Sequence, residues 1–185
     1  MRPDLRIELG GGAVLRPFTV EDAAALFRVI DANRVRLARW FHWVDRVTDE
    51  PTQRAFIESL AADERSLNGN GIWVGDDLAG SCNLLIAGHD DVAELGFWLD
   101  EAFVGRGLAT RACEALIKRG FEDEGIHRIQ LRAGVDNLRS RAVAKRLKMR
   151  EEGVLRGSGK VGGGLHVDLV VYGLLVDEWR MTVHR

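Results

Sequence analysis

The chain has 185 residues, 46% hydrophobic and 29% charged, with a formal net charge of −2 at pH 7, the balance of one globular domain over 1–185 with a substantial core. That charge gives no electrostatic reason for nucleic acid or membrane as the main partner. No segment is apolar over the width of a bilayer, and the start, MRPDLRIELGGG, has no apolar signal run, so a cytoplasmic location is the default expectation.

Ile7–Leu9 and Val14–Phe18 flank Gly10-Gly11-Gly12 and read as a first strand, or a small hairpin turned by the glycines. Thr19, followed by Glu21 and Asp22, offers an N-cap, and Ala23, Leu26, Phe27 and Ile30 recur at helical spacing, so a helix is expected over about 20–31. The next stretch, 33–45, is unusually aromatic. Trp40, Phe41 and Trp43 could close a short helix over the core or wall a substrate pocket. A second helix is expected over 53–66, with Pro51 at its start and Asn68-Gly-Asn-Gly71 after it. Strands at 72–74 and 78–87, joined by Gly75-Asp76-Asp77, and a third at 92–99 then form an antiparallel meander.

That third strand leads through Asp100 and Glu101 to Gly105-Arg106-Gly107, where an apolar-faced helix begins that is expected to run from Leu108 to about Glu124. Glycines allow close backbone approach, and the first N–H groups of a helix have no intrahelical partner. Together with the helix dipole they suit phosphate oxygens. A strand at 128–133, a helix at 138–147 capped by Asn137, and a strand starting at 154 follow. Gly157–Gly164, with five glycines and a serine, reads as a mobile loop, 165–175 as a strong last strand, and 177–185 as a polar tail anchored by Trp179. Cys82 and Cys113 have no CxxC partner and read as reduced, mostly buried thiols; no metal site is expected.

This order is an α+β (mixed α/β) domain, in which strand 92–99, helix 108–124 and strand 128–133 form a right-handed βαβ unit if the strands are parallel neighbours. A P-loop is excluded because no Lys-Ser or Lys-Thr follows the glycines. A dinucleotide fingerprint has Thr110 where its third glycine belongs, with only Asp136 in its favour. The third reading is the pyrophosphate of coenzyme A.

Four motifs in order resemble the GNAT superfamily of N-acetyltransferases, and within it the RimJ/RimL branch that acetylates protein N-termini. They are Glu94-Leu-Gly-Phe-Trp-Leu99, Phe103-Val-Gly-Arg-Gly-Leu-Ala-Thr110, Val135-Asp-Asn-Leu-Arg-Ser140 and His166-Val-Asp-Leu-Val-Val-Tyr172, joined by Arg34-Val-Arg-Leu-Ala-Arg-Trp40 on the substrate side. The resemblance implies a twisted, mostly antiparallel sheet with acetyl-CoA as cofactor. The backbone of Phe97, Trp98 and Leu99 would pair with the pantetheine arm, and Gly105, Arg106, Gly107, Leu108, Ala109 and Thr110 would hold the pyrophosphate. Asn137 would bond the pantetheine or acetyl end, and Ser140 would serve the leaving thiolate, since the only tyrosine is Tyr172 on the last strand. For the base, Glu94 comes first, His166 second, and a water chain is the remaining route. Trp40, Trp43 and His166 are expected at the acceptor. That acceptor could be a protein N-terminus, a polyamine or an antibiotic amine. A non-catalytic acyl-CoA-binding protein is the competing class, and the resemblance allows a homodimer.

Overall fold

The computed structural model describes residues 5–60, 67–86 and 91–183. The end of the helix expected over 53–66 and most of the turn expected at 88–91 lie outside them. The strands are β1 (Ile7–Gly10), β2 (Ala13–Pro17), β3 (Asn70–Val74), β4 (Asp77–Ile86), β5 (Val92–Leu99), β6 (Arg128–Gly134), β7 (Arg150–Lys160) and β8 (His166–Leu175). The helices are α1 (Ala23–Ala32), α2 (Arg34–Ala38), α3 (Glu50–Leu60), α4 (Leu108–Glu122), α5 (Leu138–Arg146) and α6 (Val176–Val183). The strands make one sheet in the order β1-β2-β3-β4-β5-β6-β8-β7. Its neighbours are antiparallel except β5 and β6, which are parallel.

Strand alternation sends side chains to two cores. Ile72, Leu84, Leu95 and Ile129 pack with Leu108, Ala112, Leu116 and Ile117 of α4. Trp73, Leu78 and Trp98 pack with Leu26, Ile30, Leu37 and Ile57 of the N-terminal helices. The sheet is thus covered on both faces at its centre, where β5 runs. The entry to α1 is fixed by Asp22, which accepts from Thr19 N–H at 2.8 Å and takes the Arg16 guanidinium at 2.7 and 2.9 Å.

Two expectations change. The glycine stretch 157–164 is not a free loop, because β7 continues to Lys160. The pairing Leu155 with Leu169 resumes at Gly159 with Val167 after a bulge, which Gly157 accommodates at φ +62. Gly159 is buried, and a Cβ there would stand 2.6 Å from Leu169. Only Val161–Leu165 turns, and it is docked: Gly163 N–H donates to Asp45 at 2.9 Å, and a Cβ on Gly162 would stand 2.8 Å from Ala38. The described part of the polar tail is helix α6, held because Trp179 packs on Phe121 at 5.4 Å between ring centroids.

Candidate active site

The site begins where β5 leaves β6. Along β4 the register of β5 is unbroken from Ala93 to Leu99. Asp100 N–H donates to Ala79 at 2.9 Å, so by antiparallel alternation Trp98, Gly96 and Glu94 bond β4, while Leu95, Phe97 and Leu99 turn their amides and carbonyls toward β6. Pairing with β6 stops at Glu94 opposite Gln130. β6 meanwhile follows β8 on to Gly134. The strands therefore splay, and the Leu95 carbonyl and the Phe97 amide and carbonyl meet no strand. The Leu99 carbonyl is taken instead by the Arg36 guanidinium. Trp98 turns its side chain into the N-terminal core, so its contribution to the gap is backbone shape alone.

Beyond the strand, Gly105 and Gly107 are exposed at φ +85 and +73, and Gly107 is the N-cap of α4 with no side chain capping it. The N–H groups of Leu108, Ala109 and Thr110 occupy the first turn, where no intrahelical acceptor exists. Arg106 donates to the Ala102 carbonyl at 2.9 Å and lies over the Phe103 ring at 4.8 Å, which keeps a cation beside the turn. A Cβ at Gly105 would meet nothing within 4 Å. This is open, donor-rich backbone of the kind a diphosphate needs.

A cavity of about 330 Å³ lies at the splay. Leu95, Gly96 and Phe97 line it on one side and Leu131 to Gly134 on the other, with Asn137 and Ser140 beyond. Asn137 accepts from Ser140 N–H at 3.2 Å and so caps α5, which sets both side chains at the cavity. The outer walls are Trp40, Phe41 and His42 on one side and Ser158 to Val161 of the β7–β8 hairpin on the other. Trp40 lies against Gly134, where a Cβ would stand 3.3 Å from the ring.

Glu94 also lines the cavity. Its oxygens accept from Arg132 Nε at 2.9 Å and Nη2 at 2.7 Å, and from Gln130 Nε2 at 3.4 Å. An ionised carboxylate offers about four lone-pair sites, so one remains for a ligand. Tyr172 is elsewhere: fully buried, it accepts from Arg141 Nε and donates to Glu151, both at 3.0 Å. Burial pushes its hydroxyl above the usual range for tyrosine, against the opposing pull of Arg141.

Two residues expected at the acceptor are not in this lining. Trp43 turns into the N-terminal core, with ring centroids 5.5 Å from Phe41 and 6.3 Å from Trp98. His166 is exposed at the start of β8, with Nδ1 3.2 Å from the Gly157 carbonyl oxygen. Phe41 has extended backbone between α2 and a turn of 3-10 helix, and His42, not Trp43, lines the cavity. Nothing local in the sequence marks His42 or Lys160. Arg132 alone had a signal, since it alternates outward on a strand next to that of Glu94.

Residues 13–150 match the acetyltransferase (GNAT) domain family. The chain is 36% identical over 172 residues to a putative ribosomal N-acetyltransferase, YdaF, of Bacillus subtilis (strain 168), covering 89% of this chain and 92% of that protein. It is 26% identical over 160 residues to the ribosomal-protein-serine acetyltransferase of Escherichia coli (strain K12), covering 83% and 87%. Among solved structures, the microcin C7 self immunity acetyltransferase MccE in complex with acetyl-CoA and AMP is similar at a TM-score of 0.83 and 27% identity, over 91% of this chain and 95% of that one. With the splayed strands, the donor-rich glycine turn and the family match in agreement, the chain belongs to the GNAT family and is an acetyl-CoA-dependent N-acetyltransferase.

Proposed function

We propose that the acceptor is a protein N-terminal α-amine of the ribosomal-protein type. The observation that carries this reading is the cavity at the splay: at about 330 Å³ it has room for the first residue of a chain between the Trp40–His42 segment and the β7–β8 hairpin. The ribosomal acetyltransferases among the relatives support it.

Bound acetyl-CoA supplies an acetyl group activated as a thioester. The N–H groups of Leu108, Ala109 and Thr110 would hold the diphosphate, with Arg106 nearby, and the Leu95 and Phe97 carbonyls would accept from the amides of the arm. The Phe97 N–H points into the gap and is available to a carbonyl oxygen that gains charge. Glu94 accepts from the incoming amine through its remaining lone pair and takes its proton. Asn137 would orient the acyl end; as the new N–C bond forms and the C–S bond breaks, Ser140 Oγ would give its proton to the departing sulfur and recover one from solvent, to which Glu94 releases the proton taken from the amine.

A second reading of the base is favoured by the Arg132 clasp, which occupies both oxygens of Glu94. His42 lines the same cavity, and a neutral imidazole has one ring nitrogen able to accept a proton. Glu94→Gln and His42→Ala separate the two: the variant that loses kcat while binding acetyl-CoA normally identifies the group.

The test of the acceptor is turnover on a panel of peptides with free N-termini, the same peptides with blocked N-termini, and small polyamines and aminoglycosides. Transfer that requires the free α-amine supports the proposal. Faster turnover of a small amine replaces it, and tight coenzyme A binding with no transfer to any amine would show a protein that only binds the cofactor.

A further inference from the structure

Asn33 takes part in neither the glycine turn nor the cavity, yet it is buried with every polar site of its side chain used. It closes α1 by donating from Nδ2 to the Val29 carbonyl at 2.9 Å, and the same nitrogen donates to Asp100 Oδ1 at 3.1 Å. Its oxygen accepts from Glu101 N–H at 3.0 Å and from Arg36 Nη2 at 2.7 Å. Arg36 in turn donates to the Leu99 carbonyl. Asp100 Oδ1 also accepts from Ala102 N–H at 3.2 Å. One amide and one guanidinium thus grip Leu99, Asp100 and Glu101, the residues that carry the chain from β5 into the glycine turn.

The other side of the grip is the junction of α1 and α2. Helix α2 leads directly to Trp40, Phe41 and His42, the wall of the cavity. The two halves of the site are far apart in sequence and belong to different elements, so their relative placement depends on what joins them. A saturated, buried amide gives little slack: moving the 100–101 turn must carry the α1–α2 junction with it or break buried bonds.

We propose that Asn33, with Arg36, is a positioning residue that couples the phosphate-binding turn to the acceptor wall, so that filling the turn orders the wall. The coupling rests on the coenzyme site alone and holds whichever amine is the acceptor. Phosphates bound at 105–110 fix the end of the segment that Asn33 holds. Asn33 passes that constraint to α2 and hence to Trp40–Arg46. The acceptor then meets a wall that has already been set.

The test is backbone amide exchange of the full chain with adenosine 3′,5′-bisphosphate, which carries phosphates but has no pantetheine arm to touch Trp40. In the wild type, exchange should slow in 105–110 and, by about fivefold or more, in 40–46, the lower end of ordinary coupling between sites. Asn33→Ala should keep the protection at 105–110 and lose it at 40–46. If Asn33→Ala does not fold, Arg36→Met should lose the distant protection and Arg36→Lys should retain part of it. Equal protection of 40–46 in these variants, or none there in the wild type, overturns the coupling. No protection at 105–110 in the wild type overturns the placement of the cofactor as well, which distinguishes the two failures.

Discussion

Gly107→Val tests the phosphate cradle, and its two consequences can be separated. Gly107 has φ +73 and ψ 2, a left-handed conformation that costs an L-residue about 1–2 kcal/mol, more for a β-branched one. In a chain of this size that strain lowers Tm by roughly 2–8 °C. The new Cβ would stand 3.0 Å from Arg111 Nη1, the far end of a flexible side chain, which can move aside. The larger effect falls on the ligand. Hydrogen bonds from N–H groups to a charged partner contribute about 1.5–3 kcal/mol each. Holding a diphosphate off two of the three donors should therefore weaken binding by about 3–6 kcal/mol, roughly a hundredfold to ten-thousandfold. Gly75 in the β3–β4 turn is the control: it has φ +59 and open space around a Cβ, and it lies outside the cofactor region. Calorimetric titration of acetyl-CoA alongside thermal melts should show similar destabilisation in Gly75→Val and Gly107→Val, with affinity lost only in the second. Acetyl-CoA affinity in Gly107→Val within about threefold of the wild type would refute the cradle at α4.

Ser140→Ala should lower kcat well beyond any change in acetyl-CoA affinity, because its proposed work is at the departing sulfur; single-turnover rates with saturating cofactor check this, and an unchanged rate removes the hydroxyl from the mechanism. Tyr172→Phe should destabilise the fold by about 1–2 kcal/mol through the lost bonds to Arg141 and Glu151, with kcat within twofold of the wild type; a large loss of kcat would give the tyrosine a part in the reaction. Asp22→Asn should cost about 2 kcal/mol at pH 7. Burial opposes the charged form of Asp22, but Arg16 and the Thr19 amide outweigh it and hold the carboxyl below its ordinary range. A carboxyl depressed in the folded state stabilises above its unfolded pKa, about 3.9, and loses that contribution as the pH falls through the folded value. Denaturant unfolding should therefore show the gap between the wild type and Asp22→Asn closing below about pH 4; a gap constant from pH 7 to pH 3 would contradict the assignment.

What could be read in the sequence was local. The glycine turn before α4 and the cap at Asn137 each depend on a few adjacent residues, and the structure forms both. The splay was not legible, because it is set by where pairing to a strand 36 residues onward stops. The same holds for the clasp on Glu94, whose partner Arg132 arrives 38 residues later, and for Asn33, whose bonds to Asp100 and Glu101 span 67 and 68 residues. The glycine stretch misled in another way. Its composition suggested mobility, while burial of Gly159 against Leu169 and docking of Gly163 on Asp45 required residues without bulk. In the aromatic segment, composition gave the wall but not its facing: Trp40 and Phe41 line the cavity while Trp43 turns away.

The most direct measurement is mass analysis of a defined peptide pair after incubation with the protein and acetyl-CoA, one peptide with a free N-terminus and a lysine, the other blocked at its N-terminus. The account predicts the mass of one acetyl group on the first peptide, placed on the α-amine by fragmentation, none on the second, and no transfer by Gly107→Val. Acetylation of the lysine side chain in both peptides, or transfer that survives Gly107→Val unchanged, would contradict it.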